Sequence, residues 1–205
     1  MVEGILFIVS APSGAGKTSL VKALLERDAE LSLSVSCTTR PVRPGERDGV
    51  HYHFLVQDQF RAELAEGAFL EHAEVFGNYY GTREADVRHC IASGRDLMLE
   101  IDWQGARQVR ERFPAAVGVF VLPPSVQVLE QRLRGRGTDS DDVIARRMTQ
   151  AHDEMRHYDE YDYLVVNDRF ETALDALAAI VSAERQRLAH QRPRLASLLG
   201  QIASE

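Results

Sequence analysis

The chain has 205 residues, with 24 lysines and arginines against 31 aspartates and glutamates, for a formal net charge of −7. That length suits one α/β domain with small insertions, and contents of 44% hydrophobic and 27% charged residues are ordinary for a soluble globular protein. An acidic total argues against a general nucleic-acid or membrane-surface binder, since both need a basic face. Cys37 and Cys90, with no CxxC, argue against a disulfide framework.

In chain order, Met1-Val2-Glu3-Gly4 lacks a basic n-region, and the apolar run after it is too short for a signal peptide. No stretch approaches a membrane span, so a cytoplasmic setting is expected. Ile5 to Val9 reads as a buried strand, and Leu20, Val21, Leu24 and Leu25 fall on one face of a helix. Between them lies Ser10-Ala11-Pro12-Ser13-Gly14-Ala15-Gly16-Lys17-Thr18. Strand, small-residue loop, then a helix opening on Lys-Thr is the order of a phosphate-binding loop, which predicts nucleotide binding. Gly14 and Gly16 leave room for backbone N–H groups around phosphate oxygens, Lys17 reaches terminal phosphates, and the Thr18 hydroxyl can ligate Mg²⁺. Ala11 stands where the pattern has its first glycine, which alanine fills if φ there is negative.

Leu31 to Val35 predicts a short strand, and Cys37 to Gly45 is kept from helix by two prolines and a glycine. Val50 to Val56 alternates as a strand, Gln57 to Glu66 reads as helix, Phe69 to Val75 alternates again, and Gly77-Asn78-Tyr79-Tyr80-Gly81 reads as a turn. Residues 36–82 thus form a small β-rich insertion. Arg83 to Ser93 predicts a helix, Asp96 to Asp102 a strand ending in acids, and Gln104 to Phe113 a helix. Val117 to Leu122 is a buried strand, Ser125 to Arg134 a helix, and a polar hinge precedes a helix from about Asp141. Tyr163 to Val166 is the last strand and Glu171 to about Leu188 the last long helix. Strands alternating with helices imply a mostly parallel sheet covered on both faces.

Glu100 and Asp102, two apart on a predicted strand, share a face at its carboxyl end, where ligands gather in open α/β sheets. They could orient Mg²⁺ through water, hold an arginine or a ligand amine, or simply cap Arg107. Arg40 and Arg43 lie in a proline-stiffened loop near Ser36, Tyr52, Glu71, Tyr80 and Thr82, and each guanidinium can fork onto phosphate. Arg132 and Arg136 share a face if their helix runs that far, and Arg147 follows the hinge; such a strip either serves phosphoryl transfer or is a solvated basic surface paired with Asp141 and Asp142. No general base is evident, and a phosphate acceptor needs none, because with a second pKa of about 6 it is already mostly dianionic at neutral pH. The seven histidines show no zinc-type spacing. Trp103 and Cys37 are expected to pack.

Over nearly its whole length the chain resembles guanylate kinases. The loop, Ser34 to Pro41, Arg43-Pro44-Gly45-Glu46, Gly49 to Phe54, Phe69-Leu70-Glu71, Gly77 to Thr82, Glu100 to Gly105, Arg132 to Gly137 and Val166-Asn167-Asp168 carry that resemblance. It implies a three-layer P-loop core with a five-stranded parallel sheet over residues 1–35, 83–134 and 153–205, a GMP-binding insertion over 36–82, and a lid over 135–152. It also implies Mg²⁺-dependent transfer from ATP to GMP, and to dGMP. Residues Ala11, Pro12, Ser13, Gly14, Ala15, Gly16, Lys17, Thr18 and Ser19 would bind ATP. Arg40, Arg43, Tyr52 and Tyr80 would hold the GMP phosphate, with Ser36, Glu71, Gly81, Thr82 and Asp102 around guanine. Lys17, Arg40, Arg43, Arg132, Arg136 and Arg147 would be catalytic. Thr18, with Glu100 and Asp102 through water, would hold Mg²⁺. Glu100, Trp103 and Cys37 depart from the residues expected there. The rival readings are a non-catalytic binding module of the same fold and a kinase for another small phosphate ester.

Overall fold

A computed structural model of the chain describes residues 3–75, 77–135 and 140–203. In chain order its strands are β1 (Leu6–Ser10), β2 (Leu31–Leu33), β3 (Cys37–Thr38), β4 (His53–Phe54), β5 (Phe69–Val75), β6 (Asn78–Arg83), β7 (Asp96–Glu100), β8 (Val117–Leu122) and β9 (Tyr163–Val166). The helices are α1 (Lys17–Arg27), α2 (Gln57–Ala65), α3 (Glu84–Ala92), α4 (Trp103–Arg112), α5 (Val126–Arg134), α6 (Asp141–Met155), α7 (Phe170–Gln186), α8 (Leu188–Arg194) and α9 (Ala196–Ile202).

Strand β1 is buried along its whole length, as a central parallel strand must be when helices cover both faces. It pairs in parallel with β7 and β8, and the five-stranded order is β2-β7-β1-β8-β9. Side chains alternate across the sheet, so Phe7 and Val9 meet Leu20 and Leu24 of α1 and Leu174 and Leu177 of α7. Leu6 and Ile8 meet Val87 and Ile91 of α3 and Ala106 and Val109 of α4 on the other face. Each such side chain contributes roughly 1.5–3 kcal/mol when fully buried, which fixes the sheet's register and with it the carboxyl ends of β1 and β7.

A four-stranded sheet, β4-β3-β6-β5, is built from residues 37–83. Its small core stacks Phe60 of α2 on Phe69 and Tyr79, with ring centroids 4.3 and 5.4 Å apart. Two expectations change here. The Gly77 to Gly81 block is not a turn, because Asn78–Arg83 is a strand that pairs antiparallel with β5. Its two tyrosines alternate in use, Tyr79 toward Phe60 and Tyr80 toward Tyr52, and a Cβ on Gly81 would come within 2.9 Å of Phe69. Likewise only His53–Phe54 of the Val50 to Val56 run forms a strand, since Arg47 C=O accepts from Val50 and His51 and closes a turn there.

A third change concerns the acids after β7. Asp102 is not on the strand but caps α4, its Oδ1 accepting from Gly105 N at 2.8 Å. The final long helix ends at Gln186, where Arg187 turns to ψ 139 and α8 begins.

Candidate active site

The phosphate loop leaves β1 at its carboxyl end and enters α1 at Gly16, whose φ is 92, with Gly14 at φ 95. Both backbones lie in the left-handed region, which glycine alone adopts without strain. Space is also short, since a Cβ on Gly16 would sit 2.4 Å from Asn167 Nδ2. Asn167, at the end of β9, donates from that nitrogen to Ala15 C=O at 2.7 Å and so pins the loop to the sheet. Ala15 itself is buried, and its N–H donates to Pro12 C=O at 3.1 Å.

A cavity of about 790 Å³ opens over the loop. Ala11, Pro12, Ser13, Gly14, Gly16, Lys17, Thr18 and Ser19 line one side, and Arg147, Gln150, Asp153 and Glu154 of α6 line the other. Lys17 Nζ donates to Ile101 C=O at 3.0 Å. Burial pushes its ammonium below the usual lysine range, and the carboxylates of Glu100, Asp102, Glu154 and Glu71 oppose that shift. The Thr18 hydroxyl donates to Glu100, so hydroxyl and carboxylate lie together beside the loop. Two hard oxygens at that place suit Mg²⁺, which keeps most of its waters and takes one or two protein oxygens beside phosphate. Among the described residues no group of three or more His, Cys, Asp or Glu side chains could hold a metal by itself.

A second, smaller cavity of about 190 Å³ adjoins the first and is lined by Ser36, Tyr52, Glu71, Tyr80, Gly81, Glu100, Asp102 and Lys17. Glu71 is 5% exposed. Its Oε1 accepts from the Thr82 hydroxyl at 2.6 Å, and Thr82 Oγ1 lies 3.1 Å from Ser36 Oγ. Burial raises the Glu71 carboxyl, with Thr82 and Lys17 pulling the other way. Its Oε2 faces α4, where a Cβ on Gly105 would lie 2.9 Å away. Gly105 is thus the neighbour that gives this carboxylate room.

The arginines divide. Arg40 packs over the Tyr52 ring, 5.4 Å from its centroid, and is 10% exposed. Both its terminal nitrogens donate to Glu46, at 3.0 and 2.8 Å, and Nη1 also donates to Pro41 C=O. Arg43 is exposed. Arg132 donates from Nη2 to Asn167 C=O at 2.8 Å rather than into the cavity, and Arg147 lines the larger cavity. Arg136 lies outside the described residues. The alternative that Glu100 or Asp102 caps Arg107 fails, because Arg107 donates to Glu160. Trp103 packs as expected, stacked on His157 at 3.6 Å with Arg107 above it. The Cys37 thiol is buried and pushed up to about 11, which makes it inert.

Sequence reasoning assigned no role to four residues here, Glu46, Asn167, Glu154 and Gly105. Glu46 was visible as the acid following Arg43-Pro44-Gly45, and Asn167 as the residue ending an apolar strand. Glu154 lies seven residues after Arg147, hence on the same helix face. Gly105 stood inside the Glu100 to Gly105 match, but nothing there signalled its approach to Glu71. A third cavity of about 760 Å³ lies at the amino end of β1, beside Gly4, Ile5 and Phe113, where Arg88 and Arg112 are already engaged by Glu84.

A family model described as guanylate kinase matches residues 4–184. The chain belongs to the guanylate kinase family. A guanylate kinase of Alkalilimnicola ehrlichii is 60% identical over 97% of this chain and 98% of its own length. One from Hydrogenovibrio crunogenus is 55% identical over the full length of both. The crystal structure of a guanylate kinase from Anaplasma phagocytophilum superposes with a TM-score of 0.77 at 31% identity, covering 95% of this chain and 94% of that one. The guanylate kinase fold therefore includes the five-stranded parallel sheet and loop described above.

Proposed function

We propose that this chain catalyses transfer of the γ-phosphoryl group of ATP to GMP, and to dGMP, yielding ADP and GDP or dGDP. The observation that carries this reading is that Lys17 and Asp102 line both cavities. A donor on the loop and an acceptor beside Glu71 would therefore meet end to end at one ammonium group. An acceptor phosphate oxygen forms the new bond to γ-phosphorus while the bond to the β–γ bridging oxygen breaks, its electron pair leaving with ADP. The acceptor is already dianionic, so no side chain has to remove a proton.

The loop amides and Lys17 orient the ATP phosphates. Glu71 accepts from guanine N1–H and the exocyclic amine, where adenine offers no N1–H, and Thr82 and Ser36 hold that carboxylate in place. Asp102 borders guanine from the helix cap. Arg40, held by Glu46 over Tyr52, Arg43, Tyr80 and Tyr52 grip the acceptor phosphate. Arg136 and Arg147, joined by Arg132 once it leaves the Asn167 carbonyl, neutralise charge on the transferring group, with residues 135–152 closing over it and 36–82 carrying the acceptor. Thr18 and Glu100 would hold Mg²⁺, which when bound neutralises charge on the β- and γ-phosphates. No helix among the described residues is long and apolar enough to cross a membrane, and the free Cys37 and Cys90 suit a reducing cytoplasm.

An ADP-release assay with Mg·ATP against GMP, dGMP, AMP, CMP and UMP tests the proposal. Turnover with GMP and dGMP alone is the expected result. Activity on AMP and not on GMP would overturn the substrate, and no turnover with any acceptor would make the chain a binding module.

A further inference from the structure

Helix α6 brings an acid as well as an arginine to the phosphate loop. Glu154, in its last turn, accepts from Ser13 N through Oε2 at 3.1 Å. Ser13 belongs to the loop that cradles phosphate, and Glu154 lines the same cavity as Gly14, Gly16, Lys17 and Thr18. Burial works against the ionised carboxyl, and the two groups that favour it are the Ser13 amide and the Lys17 ammonium. Those are the attractions a nucleotide's terminal phosphates need. A backbone N–H has one proton to give, and two anions in one half-buried place repel each other. Glu154 and a phosphate oxygen therefore exclude one another at Ser13.

We propose that Glu154 stands in for the terminal phosphates on the Ser13 amide and is expelled when nucleotide enters. This rests on the loop's being the ATP site. Part of the nucleotide's binding energy is then spent on removing a competitor carried by α6. Arg147 sits two turns earlier on the same face, so the helix that surrenders Glu154 is the one that presents a cation to the incoming phosphates. Nucleotide arrival is thereby coupled to the placement of α6.

The test is calorimetric binding of inorganic pyrophosphate, ATP and adenosine to the full chain at fixed ionic strength. Glu154→Gln keeps an acceptor oxygen and removes the charge. It should tighten pyrophosphate and ATP by about three- to tenfold, the net range of one ordinary hydrogen bond in competition with water, and leave adenosine unchanged. Glu154→Ala, which also removes the acceptor, should shift both phosphates in the same direction, and serves alone if the first variant is unstable. Weaker or unchanged pyrophosphate binding would overturn the proposal and make Glu154 a prop for the loop. An equal change for adenosine would overturn it too. Turnover of the parent chain with ATP and GMP, assayed in the same preparation, reads the catalytic proposal separately, so either can fail without the other.

Discussion

The two halves of the site are made of different materials. The donor side is main chain: consecutive residues from Ser10, the last of a fully buried strand, to Thr18 in the first turn of the helix it feeds. The proposed acceptor side is side chain: Ser36, Tyr52, Glu71, Tyr80 and Thr82 come from the second sheet and its loops, and Asp102 from a helix cap of the core. Main-chain amides present the same donors whatever side chains they carry, so the loop recognises phosphate and is blind to the base. Selectivity must then reside in the acceptor side. Substitutions in the loop should lower all turnover, whereas those around Glu71 should change which monophosphate is used.

The strongest way to break this comparison is Lys17→Ala. Lys17 is the cation that lines both cavities, and losing one preorganised donor from the reacting centre costs roughly 10²–10³-fold in kcat. Transfer to every acceptor should fall together, with the fold intact by circular dichroism. A selective loss for GMP would put Lys17 on the acceptor side alone.

Glu71→Gln comes next. The amide keeps one acceptor for the Thr82 hydroxyl but offers guanine a poorer partner, so KM for GMP should rise about 100-fold while the KM for ATP stays put. Stability should move the other way. Because burial raises the folded carboxyl above its ordinary value, its favourable contribution is complete below the unfolded pKa and is lost as pH rises through the folded one. At neutral pH the variant should therefore melt no lower than the parent. The same shift predicts that GMP binding weakens as pH falls through the raised value, since a protonated carboxyl presents a donor to N1–H. In Glu71→Gln that limb of the KM profile should be flat. Gly105→Ala pushes on the same carboxylate from behind, its Cβ 2.9 Å from Oε2, and should raise KM for GMP by about tenfold through misplacement. Unaltered GMP use in that variant would show that α4 yields.

How much of this was legible in sequence follows from the same division. The loop could be read because its cause is local: an apolar strand, two glycines and Lys17-Thr18 in one short window. Strands β5, β8 and β9 were legible for the same reason, each matching its apolar pattern residue for residue. The Gly77 to Gly81 block was misread because its glycines signalled a turn, while the pairing of Asn78–Arg83 with β5 and the stacking on Phe60 are tertiary. Asp102 was misplaced by one boundary, the commonest error of periodicity, since a strand end and a helix cap tolerate the same acid. The acceptor-side residues could be gathered into one insertion from the sequence, but their separate roles were reached through resemblance rather than spacing. Their contacts, such as Ser36 with Thr82, join positions far apart in the chain.

The smallest expected effect belongs to Glu46, and it decides whether Arg40 belongs to the acceptor side at all. The carboxylate takes both terminal nitrogens of Arg40 and the Arg43 amide, which hold its pKa down to about 2. A depressed folded pKa contributes stability that is present above the unfolded value and lost as pH falls from about 4.5 to about 2. Glu46→Gln should erase that limb of the acid-unfolding curve. It should also loosen a guanidinium otherwise fixed over Tyr52, raising KM for GMP by about threefold, with kcat little changed, because orientation is lost and charge is kept. If acid stability shifts while KM for GMP does not, Arg40 is a brace for the loop around Pro41 and Pro44. Acceptor recognition would then rest on Glu71 and the tyrosines, with Arg43 left, of the two arginines assigned to that side, to meet the phosphate.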